Sequence, residues 1–213
     1  MDNPTFTTTE IRSVSRVVTD VLTSAGFSCC LVGSAAGHEL GITRTPNDVD
    51  VLVMMDKNPD ELKDYLAAYR VLWYKFPFRD PPGVPEKSCR IDLFTPGMIH
   101  LPRIPQDKII YTGSKLPIMP FFPVVLHKIQ AWKAHLASTK PWATVKQRND
   151  VSDISDLLRM ATTTDERFEN QAWLGKWFLD EALDGVREYI AAHPDTASGW
   201  AKLGFEVKLD GSN

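Results

Sequence analysis

Near its start the chain places Ile11, Val14, Val18, Val21 and Leu22 three or four positions apart, the spacing of an amphipathic helix. Thr8 or Thr9 can cap this helix and Gly26 can end it. The apolar run from Phe27 to Val32 predicts a strand, Ala35 to Leu40 a short helix, and Val49 to Met55 the next strand. Asn58-Pro59 opens a helix over Asp60 to Tyr69, because proline suits the first helical position. Val71 to Phe76 reads as extended, and Pro77 to Glu86, with four prolines and a glycine, as a loop. Arg90 to Phe94 is a further strand; Leu101 to Pro120 is irregular except for an edge strand at Ile109 to Tyr111. From Pro123 the period turns helical, over Val124 to Leu136, Asp150 to Met160 and an apolar-aromatic segment from Phe168 to Ala192. The pattern predicts an α+β chain. A mixed sheet flanked by helices fills residues 1–118, and a helical C-terminal region, 119–213, packs on it.

Composition narrows the function classes. A chain of 213 residues, 43% of them hydrophobic, suits one domain with a helical extension. Its net charge of −3 excludes the global positive field of a nucleic-acid binder, although local basic residues can still serve a nucleotide. Three cysteines, with Cys29 and Cys30 adjacent, form no disulfide framework, and the five histidines lack zinc-ligand spacing. The N-terminal residues form no basic, apolar leader, and no apolar run reaches membrane-spanning length. A soluble, cytoplasmic protein without a membrane partner is the expectation.

The chemistry concentrates between residues 33 and 50. Gly33-Ser34 closes the first strand, where glycine lets a ligand approach the backbone and the amides of the following helix can bind a phosphate. Asp48 and Asp50 are separated by Val49 alone, so on a strand both point to one face, with Cα atoms roughly 6.6 Å apart. Two carboxylates inside an apolar strand repel each other unless a cation answers them, and their spacing suits a divalent ion. The bland readings are a simple turn at Gly33-Ser34 and a solvated acid pair; the continuous apolar segment after the pair favours the metal.

At these residues the chain resembles the DNA polymerase beta-like nucleotidyltransferase superfamily. Its pattern is an apolar strand ending in Gly-Ser, a short helix, Asp-x-Asp, then a third acid on a later strand. Asp92, in Cys89-Arg90-Ile91-Asp92-Leu93-Phe94, matches the third acid. Arg90 lies on the same face, so Asp92 is either a metal ligand or half of a structural salt bridge. Arg44-Thr45-Pro46-Asn47-Asp48 is similar to the Arg lead-in of related proteins, among them the nucleotidyltransferase toxins of bacterial abortive-infection systems. Lys128, followed by Lys146-Gln147-Arg148-Asn149-Asp150 and Asp153-Ile154, is similar to their Lys…Arg…Asp-x-x-Asp-Ile pattern.

The resemblance implies a nucleotidyltransferase-like sheet and metal-dependent transfer of a nucleoside monophosphate from a nucleoside triphosphate to a hydroxyl, with release of pyrophosphate. By it Asp48, Asp50 and Asp92 hold Mg2+, or Mn2+ in its place, and are the catalytic set. Gly33, Ser34 and Arg44 face the nucleotide, Lys128 reaches the triphosphate, and Lys146 or Arg148 meets the leaving pyrophosphate. Asp150 and Asp153 read instead as helix-start acids, or as partners of Arg148. The acceptor is a small molecule or a protein in preference to RNA, given the net charge. A non-catalytic nucleotide-binding or interaction protein on the same fold is the alternative, and a toxin needing an antitoxin a third reading. His38 reads as a surface histidine, Trp173 and Trp177 as core by their helical spacing, and Cys29 and Cys30 as buried strand thiols.

Overall fold

The structure is a computed structural model that describes residues 5–56, 62, 73–75 (backbone) and 87–206. The helix expected over Asp60 to Tyr69 and the loop from Pro77 to Glu86 lie outside the described residues. The chain forms two compact units: one of Met1–Leu40 with Arg44–Pro120, the other of Gly41–Thr43 with Phe121–Asn213.

The first unit is built on a mixed sheet. Its strands are β1 (Cys29–Leu31), β2 (Asp48–Val53), β3 (Trp73–Lys75), β4 (Ser88–Phe94), β5 (Ile110–Tyr111) and β6 (Pro117–Ile118), in the order β3-β4-β2-β1-β6-β5. β2 sits inside the sheet, antiparallel to β1 and parallel to β4. Val51, Leu52 and Val53 are fully buried, as expected of a strand covered on both faces. Helix α1 (Thr8–Ser24) packs its Val14, Val18 and Leu22 against β1 and β2. Its cap is Thr7 rather than Thr8 or Thr9: Thr7 Oγ1 accepts from the Glu10 amide while the Glu10 carboxylate accepts from the Thr7 amide. Helix α2 (Gly33–Leu40) packs on β2. The edge strand expected near residue 110 is β5, and its partner β6, two residues opened by a proline, was not legible.

The second unit is helical: α3 (Phe121–Ala137), α4 (Ala143–Met160), α5 (Lys176–Ala192) and α6 (Ala197–Lys202). α3 packs against both α4 and α5 and is buried along most of its length. Gly185 of α5 lets Ile129 come so close that a Cβ there would lie 2.6 Å from Ile129 Cγ2. Trp132, Phe178, Tyr189 and Trp200 fill the core. Trp177 is 51% exposed, against the expectation that it packs in the core. The cause is Gly175 (φ +80), from which α5 starts, so that Trp173 and Trp177 do not share a helix.

Candidate metal and nucleotide site

β2 and β4 run parallel in a register that pairs Asp50 with Asp92 and Asp48 with Arg90. Strand alternation puts Asp48 and Asp50 on one face, and the register sets Asp92 beside Asp50, roughly 4.8 Å away across the ladder. Ligand atoms of Asp48, Asp50 and Asp92 all lie within 4.8 Å of one another, and the three residues are half-buried. Their neighbours Val49, Ile91 and Leu93 face the other way into the core. Three ionised carboxylates held this close on rigid strands are costly without a cation, and an all-oxygen donor set suits a hard divalent ion.

Cys89 belongs to β4 and is buried on the face that carries Ile91 and Leu93. Burial first, and then the charges of Asp48 and Asp50, push its thiol up to about 12.

Gly33 closes the site from the side of β1. The Val32 amide donates to the Asp50 carbonyl at 3.0 Å, so the first turn of α2 is anchored on β2. Gly33 has φ +58, and a Cβ on it would stand 2.5 Å from Asp50 Oδ2. Only glycine lets that turn and that carboxylate occupy the same space. The amides of Gly33, Ser34 and Ala35 precede the first intrahelical bond of α2, which runs from the Ala36 amide to the Val32 carbonyl.

Arg44 joins this corner: its Nη2 donates to Ser34 Oγ at 2.7 Å. His38, one helical turn beyond Ser34, sits with Nδ1 3.2 Å from the Arg44 carbonyl and Nε2 3.0 Å from Thr8 Oγ1. It is thus not a bland surface histidine; its i+4 spacing from Ser34 is the signal in the sequence. Arg90 spans to Asp92, with Nη2 2.8 Å from Oδ1.

Lys128, Lys146 and Arg148 belong to the helical unit. Lys128 is buried, with Nζ 2.7 Å from Asp153 Oδ2 and 3.5 Å from Asp150 Oδ1. Asp150 also faces His135 Nδ1 at 2.6 Å. Asp150 and Asp153 are therefore neither helix-start acids nor partners of Arg148. α4 begins at Ala143, which places both in its middle, buried beside α3. In the same unit the Thr43 amide and hydroxyl both donate to Asp156 Oδ2 at 2.8 Å. Burial opposes the Asp156 charge, but these bonds and Arg159 outweigh it and hold the carboxyl below its ordinary value.

No family model matches the sequence, and no curated protein does. Among solved structures the chain is similar to an antigenic nucleotidyltransferase-like protein from Paracoccidioides brasiliensis, with a TM-score of 0.64, 16% identity and 96% of each chain covered. The fold is therefore nucleotidyltransferase-like. Among the described residues no helix is long and apolar enough to cross a membrane.

Proposed function

We propose that this nucleotidyltransferase-like chain moves a nucleoside monophosphate from a nucleoside triphosphate to a hydroxyl acceptor, releasing pyrophosphate. The observation that carries the reading is the convergence of Asp48, Asp50 and Asp92 on one face of the sheet beside the Gly33-Ser34 turn. The donor set and the Cβ-free approach at Gly33 fit a divalent ion such as Mg2+. Bound there, such an ion would neutralise triphosphate charge and lower the pKa of the acceptor hydroxyl.

The chain's own residues supply the rest. Asp48 and Asp50 hold the ion, and Asp92 holds it from β4 and takes the acceptor proton on a carboxylate oxygen. The first-turn amides of α2 donate to the phosphates, and Arg44 fixes the Ser34 hydroxyl while adding positive charge to that side. Lys128 serves first as counter-ion to Asp150 and Asp153, so the phosphate side is assigned to Gly33, Ser34 and Arg44.

One observation favours a second reading. The Arg90 guanidinium already sits on Asp92, a fixed cation that would leave nucleotide binding without transfer. Pyrophosphate release separates the two: incubation with each nucleoside triphosphate and Mg2+, over a panel of hydroxyl compounds, yields pyrophosphate from the wild type and none from Asp48→Asn. Nucleotide binding without pyrophosphate across the panel would select the non-catalytic reading.

A further inference from the structure

Every charged or ionisable residue from Lys133 to Arg148 is basic: Lys133, His135, Lys140, Lys146 and Arg148. A net charge of −3 for the whole chain conceals this segment, which forms the end of α3, the turn and the start of α4. Two of these side chains have acidic partners within the helical unit: Lys133 faces Glu188, and His135 faces Asp150. Lys140, Lys146 and Arg148 are exposed, and among the described residues none has an acidic partner.

Trp142 stands among these cations and is 53% exposed. It occupies the N-cap position of α4 without a side-chain capping bond, where serine, threonine, aspartate or asparagine would stabilise the helix. The residue type is thus explained neither by capping nor by core packing. Its indole is nonetheless held in place. Lys146 Nζ lies 5.4 Å from the ring centroid, and the His135 ring meets it edge-on, 5.9 Å between centroids at 86°.

We propose that this helical turn is a binding surface for single-stranded nucleic acid. Trp142 stacks on a base, and Lys140, Lys146 and Arg148 take neighbouring phosphates. A duplex hides the faces of its bases from such a ring, and the carboxylates of an acidic peptide would use the cations but not the ring face. Leu136 and Val145 are also exposed here, but Lys140, Lys146 and Arg148 are interleaved with them, which suits a phosphate backbone better than a membrane interior. The polar Thr144 and Gln147 on the same turn of α4 suit sugar and phosphate oxygens. The proposal rests on the helical unit alone and is independent of the acid triad. It also qualifies the preference for a non-RNA acceptor, which was drawn from the average charge.

Fluorescence anisotropy with labelled 12-nucleotide single strands of mixed sequence, one RNA and one DNA, tests it on the full chain. Affinity is expected to fall with salt at a log–log slope of about −2, the value for three phosphate contacts. Trp142→Ala weakens binding about tenfold and leaves the slope unchanged. The triple variant Lys140→Gln/Lys146→Gln/Arg148→Gln flattens the slope towards zero. Melting temperatures fall by no more than a few degrees, because the substituted side chains are exposed and make only the ring contacts described, and the tighter of the two oligonucleotides names the natural strand. Absence of binding to either oligonucleotide, or variants that bind as the wild type does, would overturn the proposal. Trp142-dependent binding to phosphatidylserine vesicles in place of oligonucleotides would overturn it as well.

Discussion

Two donors of Arg90, Nε at 2.9 Å and Nη2 at 2.8 Å, converge on a single oxygen of Asp92, Oδ1, from two positions earlier on the same strand face. Three carboxylates and one guanidinium leave the cluster at −3 + 1 = −2, which one divalent ion balances. The arrangement predicts that the nucleotide-free protein binds a divalent ion in competition with Arg90. Arg90→Gln raises Mn2+ affinity roughly three- to tenfold, the modest gain expected of a half-exposed ion pair. Calorimetric titration without nucleotide measures it; an unchanged affinity would show that the guanidinium does not compete.

Gly33 is the tightest point of the site. Gly33→Ala places a methyl against Asp50 Oδ2 and forces an L residue to φ +58. The left-handed strain alone costs about 1–2 kcal/mol, or about 2–8 °C in melting temperature for a chain of this size. Metal binding falls with it, because the Asp50 carboxylate must turn away. A variant that melts and binds Mn2+ as the wild type does would contradict the described contact.

Lys128 holds the helical unit together as a buried counter-ion, its side chain 8% exposed against 0% for Asp153 and 6% for Asp150. Lys128→Met removes the cation facing both buried carboxylates, leaving Asp150 its His135 contact, and costs about 3–5 kcal/mol. Adding Asp150→Asn and Asp153→Asn recovers most of that loss. Urea denaturation of the three proteins checks this, and equal midpoints for wild type and Lys128→Met would refute it.

The buried thiols make stability depend on pH. Burial, aided for Cys89 by the charges of Asp48 and Asp50, lifts Cys29 to about 11 and Cys89 to about 12, from an ordinary value of 9.0. As pH rises the unfolded chain loses these protons first. Their contribution is complete below about pH 9 and declines from there through pH 12. Urea midpoints are expected to fall between pH 8 and pH 10.5, by less in Cys89→Ala than in the wild type. Iodoacetamide at pH 8 labels the native thiols slowly and the denatured ones fast.

The site was legible where its geometry follows from strand periodicity. Asp48 and Asp50 share a face because they are two apart, and Asp92 joins them because its own apolar strand pairs beside theirs. What the sequence concealed depends on partners distant in the chain. The resemblance turns Lys128 toward a triphosphate; its burial against Asp150 and Asp153 is not readable from its own helix. Those acids in turn read as helix-start residues because the polar run Lys146 to Asn149 hides seven further positions of α4, from Ala143 to Asn149. β6 escaped because two residues, one a proline, carry no alternation of their own; its pairing with β1 at Leu31 and Ile118 defines it. The exposure of Trp142 is likewise a property of the packed helices.

The proposed function requires that the acid triad hold a metal-bound nucleoside triphosphate. Isothermal titration of the four ribonucleoside triphosphates, with and without Mg2+, into wild type and Asp48→Asn/Asp50→Asn tests it most directly. At least one triphosphate is expected to bind the wild type in an Mg2+-dependent manner. The double variant is expected to lose that binding, with a melting temperature equal to or above the wild type's because carboxylate repulsion is relieved. Absence of binding to all four triphosphates, or binding of equal strength in the double variant, would contradict it.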